Sequence, residues 1–204
     1  MPEARNIDEY IAIQKQALAA NPECGTTHYN LGVALLGKHQ DDEAERAFLE
    51  AIDCSPSLAE AYVQLGGLCL KRGDLDGCLD WNQRAVKARP GFSEGYGNIG
   101  YVHLQRGEVD KAIESFKRST AFNFRFVQGY TSMATAYLMK GEVDLAIEAC
   151  QNALKAEPNF PVAHNNLAIA YLEKGDLEKA RLHARRAVEL GFDVAPQILK
   201  DIEA

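Results

Sequence analysis

Proline, glycine and leucine recur along this chain with a period of 34 residues. Pro22, Pro56 and Pro90 stand 34 apart, and Pro158 follows two periods later. Gly73, Gly107, Gly141 and Gly175 keep the same spacing at a second phase. Leu36, Leu70, Leu104, Leu138 and Leu172 keep it at a third. Self-similarity at roughly 20–50 residues marks arrays of one small unit, each unable to bury its apolar face without its neighbours. A frame beginning at Gly25 gives units 25–58, 59–92, 93–126, 127–160 and 161–194 within the 204 residues.

Each unit reads as helix, turn, helix. In the fourth, Tyr130, Met133, Ala134 and Tyr137 recur at i, i+3, i+4 and i+7, which is one helix face. Gly141 stops that helix, since glycine adopts the left-handed conformation of a C-cap without strain. Ala146, Cys150, Ala153 and Leu154 form a second stripe, and Pro158 closes the unit because proline cannot extend a helix. Residues 7–20 match a second helix alone, with Tyr10, Ala17 and Pro22 in phase. The segment 195–204 begins a further first helix, with Pro196 in its opening turn. Arg181 stands where Leu79, Ile113 and Ile147 are apolar, as an exposed position in a terminal unit would allow.

These residues carry a family resemblance. Unit one has Leu31-Gly32, Ala44, Phe48, Ala51 and Pro56; unit two has Tyr62, Leu65-Gly66, Ala85 and Pro90; unit three has Tyr96, Ile99-Gly100, Ala112 and Phe116. The pattern resembles the tetratricopeptide repeat over about five-sixths of the chain. It implies an all-α, right-handed superhelical solenoid of five helix-turn-helix units. A single domain over 1–204 is expected, with an N-terminal half-repeat at 6–24 and a short capping helix at 195–204. The resemblance specifies the fold far more than the job, because one fold hosts many functions.

Composition removes several classes of function. The formal charge is −7, from 29 acidic against 22 basic residues. Nucleic-acid backbones and anionic membrane surfaces both call for a basic footprint, so neither is expected as a partner. No run approaches the ~18 apolar residues of a membrane span. The N-terminal sequence lacks the apolar stretch of a secretory leader. The five cysteines contain no CxxC pair and are odd in number, which favours a reducing, cytoplasmic setting over a disulfide framework or zinc site.

The resemblance also implies where a partner would lie. In the family the first helices line the concave wall, facing it at the second, fifth, sixth, ninth, twelfth and thirteenth positions of each unit. The sixth position carries an amide-rich ladder: Asn30, Gln64, Asn98, Ser132 and Asn166. An amide side chain both donates and accepts, so it can grip the backbone of an extended peptide whatever its sequence. Asparagine is also simply common at this phase, and Ser132 is too short to reach as far. Gly67, Gly97, Tyr29 and Tyr101 fall on groove positions too and suggest a hollow with aromatic walls. Gly95 and Gly97 equally suit close packing against unit two, at a helix-propensity cost of about 1 kcal/mol each. Where unit three lacks its proline, Phe122, Phe124 and Phe126 alternate through AFNFRF. They are read as wedged inward between units, the alternative being an exposed patch for a second contact.

Other sites are not evident. A clamp for the acidic C-terminal tails of heat-shock chaperones needs lysines where this chain has Tyr29 and Glu94, and Glu60 and Glu94 would repel a carboxylate. His28 and His164 fill the slot that Tyr62, Tyr96 and Tyr130 fill in the other units. No nucleophile–base set, phosphate-binding loop, metal site or cofactor site stands out, so an enzyme is not expected. Arg185 and Arg186 read as a solvated helix face, balanced by Glu173, Glu178 and Glu189. The expected role is an adaptor that binds a protein or peptide segment in its groove. The alternatives are a self-assembling homo-oligomeric scaffold and the regulatory subunit of an enzyme complex.

Overall fold

The computed structural model describes residues 6–203. Residues 1–5 and Ala204, the outer ends of the expected 1–204 module, lie outside the described residues. Every regular element described is a helix. In order they are α1 (Ile7–Ala20), α2 (Gly25–Gly37), α3 (Asp41–Cys54), α4 (Ala59–Lys71), α5 (Leu75–Ala88), α6 (Ser93–Gln105), α7 (Val109–Phe122), α8 (Val127–Met139), α9 (Val143–Ala156), α10 (Pro161–Glu173), α11 (Leu177–Glu189) and α12 (Pro196–Glu203). None is long and apolar enough to cross a membrane.

The chain divides into two compact units, 1–98 and 99–204, with the division inside α6. In the first, each helix packs on the next in sequence: α1 on α2, α2 on α3, α3 on α4 and α4 on α5. Ile11, Leu31, Leu35, Phe48, Leu65 and Leu68 belong to its core. In the second, α7 packs on α8, α8 on α9, α9 on α10, α10 on α11 and α11 on α12. There α8 also touches α10, and α10 touches α12. Its main core joins Phe116, Met133, Tyr137, Ile147, Cys150 and Leu167.

The helix ends follow from local chemistry. Asn6, Asp74 and Asp176 cap α1, α5 and α11 by accepting from the backbone N–H three residues on, which satisfies an orphan donor. Gly73, Gly107, Gly141 and Gly175 take φ values of 71–78° in the turn between paired helices. Unit one places His39 at that phase instead, at φ 59°. This is a left-handed conformation that costs an L-residue energy.

Close approach within each helix pair is set by one pair of positions sixteen apart. A Cβ on Gly32 would lie 2.6 Å from the Phe48 ring, one on Gly100 2.7 Å from Phe116, and one on Gly66 2.4 Å from Asn82 Nδ2. Where the partner is smaller the glycine gives way to alanine: Ala134 shares a core with Cys150, and Ala168 with Ala184.

Within each unit, charges pair between successive repeats at the same repeat positions. A base at the end of a first helix pairs with an acid in the first turn of the preceding second helix. In the first unit Lys38 meets Asp8, Lys71 meets Asp41 (2.5 Å), and Arg72 meets Asp42 (3.5 Å) and Glu45 (2.6 Å). In the second, Lys140 meets Asp110 (2.8 Å) and Lys174 meets Asp144 (2.5 Å). Each charge also complements its own helix dipole. Arg181 was expected to stand exposed at the end of the array. It is instead partly covered, and its Nε donates to the Ile202 carbonyl at 2.9 Å, so it holds α12 against α11.

Candidate functional site

The first helices α2, α4, α8 and α10 carry most of the sixth-position residues, and α6 carries Asn98. In the first unit Tyr29 on α2 and Gln64 on α4 line one cavity. The Tyr29 phenol holds its proton above the ordinary range because it is partly buried and because Glu60 is negative nearby; the polar Gln64 side chain opposes this. Its ring packs 5.8 Å from Phe48. Asn30 is half-buried beside it. Gly67 is exposed, and a Cβ there would meet nothing within 4 Å. Glu94 is exposed and accepts from Ser93 Oγ at 3.0 Å.

Other rungs of the amide ladder serve the fold. Asn98 Nδ2 donates to Asn82 Oδ1 at 3.0 Å. Asn82 is fully buried, and its own Nδ2 donates to the Cys78 carbonyl at 2.8 Å. In the second unit Asn166 is buried, and its Nδ2 donates to the Thr131 carbonyl and to Thr135 Oγ1, each at 3.1 Å. Next to it the Oδ1 of buried Asn165 meets no donor. Ser132 is half-buried and Tyr101 is exposed.

Gly95 has a packing explanation: a Cβ there would come within 2.7 Å of Val86 Cγ1 on α5. Gly97 is buried. A hollow forms one step earlier in the first unit. A cavity of about 540 Å³ is lined by Tyr29, Glu60, Val63, Gln64, Glu94 and the turn 89–93. Glu60 Oε1 pairs with Arg89 Nη1 at 2.7 Å, and the Arg89 guanidinium lies 4.0 Å over the Phe92 ring. Glu60 Oε2 is closed off from solvent and meets no donor. Sequence reasoning used Glu60 only as a charge repelling carboxylates and passed over Arg89 and Phe92. The signal available was acid at the second position of two successive units.

The expected inward wedge of AFNFRF is overturned for two of its three rings. Phe122 is 57% exposed and Phe124 74%. Phe126 alone is half-buried, with its ring 2.7 Å from where a Gly129 Cβ would sit. The cause is the turn. Asn123 accepts the Arg125 N–H on its side chain and the Phe126 N–H on its backbone, each at 3.0 Å. That tight turn tucks Phe126 in and leaves the alternate positions outside.

The histidine slot holds as read. His28 Nε2 lies 2.8 Å from the Pro22 carbonyl and His164 Nε2 3.1 Å from that of Pro158; Tyr62 OH donates to Pro56 at 3.2 Å. His164 does more, since its Nδ1 lies 3.0 Å from His183 Nδ1. A proton on His164 Nε2, donated to Pro158, leaves Nδ1 to accept from His183. Burial first, and the neighbouring His164 second, push the His183 pKa down to about 4.

Comparison with known proteins agrees with this architecture. The family profile described as tetratricopeptide repeat matches residues 12–59, 42–93, 83–124 and 131–193. Among curated proteins, a TPR repeat-containing thioredoxin of Arabidopsis thaliana, TTL4, is 32% identical over 71 residues. That match spans 35% of this chain and about a tenth of the plant protein. Among solved structures, Pseudomonas aeruginosa PilF superposes with a TM-score of 0.79 at 16% identity, covering 97% of this chain and 96% of its own. YrrB, described as a TPR protein with an unusual peptide-binding site, superposes at 0.69 with 18% identity, covering 94% and 98%.

Proposed function

Because this chain belongs to the tetratricopeptide repeat family, we propose that it holds an extended segment of a partner protein along the inner face of its first helices. The repeat fold supports protein–protein interaction in general, since stacked units present extended concave surfaces. The observation that carries the finer reading is the first-unit cavity of about 540 Å³, which Tyr29 and Gln64 line, with Gly67 leaving open space on the same helix face. Asn30, Gly97 and Asn98 extend that face in the first unit, and Tyr101, Ser132 and Asn166 carry the same positions in the second. Asn98 and Asn166, with their nitrogens engaged internally, act on a ligand through their amide oxygens in this reading. The module is non-catalytic, as proteins of this repeat family in general are. An odd number of cysteines with no CxxC pair fits a reducing, cytoplasmic setting.

The test uses polar groups that are not committed to the fold. Asn30→Ala with Gln64→Ala, and Tyr29→Phe separately, which keeps the ring against Phe48, should weaken a bound partner segment while circular dichroism stays unchanged. Asn98 and Asn166 are left intact because their loss would also loosen the helices they hold. Retention of the partner by both variants would move the site off this face.

A second reading has an observation of its own. Phe122 and Phe124 form an exposed aromatic pair on the second unit, which suits self-association. Light scattering of wild type against Phe124→Ser across a concentration series separates the two: a strict monomer in both removes the scaffold.

A further inference from the structure

Two surface hollows share one plan at positions two repeat periods apart. In the first compact unit Asp53, Pro56, Tyr62, Arg84, Lys87 and Ala88 border a cavity of about 560 Å³. In the second, Phe124, Arg125, Tyr130, Asn152, Lys155 and Ala156 line one of about 390 Å³. Phe124, Tyr130, Asn152, Lys155 and Ala156 occupy the repeat positions of Pro56, Tyr62, Arg84, Lys87 and Ala88. Tyrosine, lysine and alanine are common to both, so what distinguishes the second hollow lies in the residues that change.

Three replacements set its chemistry. Ala121 stands where the first unit has Asp53, so a carboxylate is gone. Arg125 stands at the position of Ser57, so a cation is added. Phe124 stands where three other repeats carry Pro56, Pro90 and Pro158. No acid is among the lining residues. Arg125 and Lys155 are exposed, and neither pairs with a carboxylate among the described residues; Lys155 Nζ donates to Asn152 Oδ1 at 2.9 Å. Elsewhere in this compact unit Lys140, Lys174, Lys179 and Arg186 each meet an acid. Phe124 is the most exposed large apolar side chain among the described residues, at 74%, and it borders the same hollow as the Tyr130 ring. Two cations without an acid, in a chain of −7 overall, thus coincide with an aromatic ring left in water.

We infer that this hollow docks an acidic segment of a partner protein, one in which an aspartate or glutamate lies beside an apolar side chain. The carboxylate meets Arg125 and Lys155, whose charge is opposite to that of the chain as a whole. The neighbouring apolar side chain covers Phe124 and removes its ring from water. At about 390 Å³ the hollow takes one or two side chains of such a segment. A polyanion such as a nucleic acid is a poorer match, because the net charge of −7 repels it beyond the hollow. The contact is independent of the inner-face reading. Its residues lie at the turn before α8, at the fourth position of the α8 repeat and at the end of α9, and none occupies an inner-face position. It also gives Phe124 an occupant other than a second copy of this chain.

The experiment selects a randomised heptapeptide phage library on the whole chain, after depletion on the Arg125→Glu/Lys155→Glu variant. Both residues are exposed, so that variant should keep the wild-type circular dichroism and thermal melt. Enriched peptides are synthesised; affinity is read by fluorescence anisotropy and location by amide chemical-shift mapping. The expected peptides share an acidic residue next to an aromatic or large aliphatic one, and they shift Phe124, Tyr130 and Lys155. Glutamine for the peptide's glutamate, or asparagine for its aspartate, should weaken binding about fivefold. Phe124→Pro should weaken it as well and still fold, since proline holds this position in three other repeats. Asn123 before it is extended, at φ −138° and ψ 93°, as the residue before a proline must be. Three results would each overturn the inference: no peptide that prefers wild type to the depleted variant, affinity that survives loss of the peptide's acid, or affinity unchanged in Phe124→Pro. Light scattering that finds the wild type dimeric and the Arg125→Glu/Lys155→Glu variant monomeric would give the hollow to a second copy and overturn it likewise.

Discussion

Gly66 and Gly67 are neighbours on one helix, yet alanine should act on them in opposite directions. Both stand inside α4, where replacing glycine by alanine gains up to about 1 kcal/mol of helix propensity. At Gly67 nothing opposes the gain, since a Cβ would meet no atom within 4 Å. Gly67→Ala should therefore stabilise the fold by about 0.5–1 kcal/mol. At Gly66 the new Cβ would sit 2.4 Å from Asn82 Nδ2 and 3.3 Å from its Cγ. Asn82 is fully buried and cannot swing out. Its amide is fixed by the Cys78 carbonyl at 2.8 Å and by Asn98 at 3.0 Å. Overpacking costs about 1–3 kcal/mol, and a buried polar group stripped of its partner costs about 1–3 kcal/mol more. Against a gain of about 1 kcal/mol, Gly66→Ala should be destabilising by about 1–5 kcal/mol. Urea titration of the two single variants reads the difference directly, and the two midpoints should move to opposite sides of wild type. Adding Asn82→Ala to Gly66→Ala should recover part of the loss, since Ala168 with Ala184 shows that the two-alanine arrangement packs in this same fold. A Gly66→Ala variant as stable as Gly67→Ala would refute the packing account.

Three further outcomes are expected. His39→Gly should stabilise the fold by about 1 kcal/mol in the same titration, by relieving a left-handed residue at φ 59° where the other turns use glycine. His183 has a folded pKa near 4, below its unfolded value, so the unfolded chain binds the proton first and stability falls as pH drops from about 6.5 to 4. Discounted for partial exposure, that loss is about 1–2 kcal/mol, and His183→Phe should flatten the wild-type slope across this window. With iodoacetamide at pH 8, followed by mass spectrometry, Cys24 should react first, its thiol pKa lowered by the Thr27 hydroxyl and the α2 N-terminus. Cys54 should lag because burial raises its pKa, and Cys150, pushed up to about 12 by burial, should react on unfolding alone.

The fold was legible because its rules repeat. Proline, glycine and leucine at one period give the helix pairs, and a shared phase gives each turn glycine its left-handed conformation. The ion-pair ladder was equally legible and was missed. Asp8, Asp42, Asp110 and Asp144 share one phase, and Lys38, Arg72, Lys140 and Lys174 another, thirty residues later. The site was less legible, because periodicity gives the helix face and not the partner of each atom. Asn98 and Asn166 carry the phase of a peptide-gripping amide, yet each is drawn inward by a neighbour that differs between units: Asn82 in one, Thr131 and Thr135 in the other. AFNFRF misled for a related reason. Without the proline, Asn123 sets the turn, and a side-chain acceptor there decides which phenylalanine goes in.

Repetition also separates what holds the fold from what is free to recognise a partner. Positions under packing constraint vary in concert within this one chain: glycine faces Phe48, Asn82 and Phe116, and alanine pairs with Cys150 and Ala184. The second positions of the first helices show no such coupling. They read Thr26, Glu60, Glu94, Gln128 and Val162, and each is exposed or half-buried. Hydroxyl, carboxylate, amide and aliphatic groups exchange there between units that share one backbone plan. A surface that repeats the backbone but not the chemistry offers a different contact at each step. Such a surface reads an irregular, extended sequence better than a repeated one. Negative charge at the second position is confined to Glu60 and Glu94, so the electrostatic contact this surface offers is local rather than repeated.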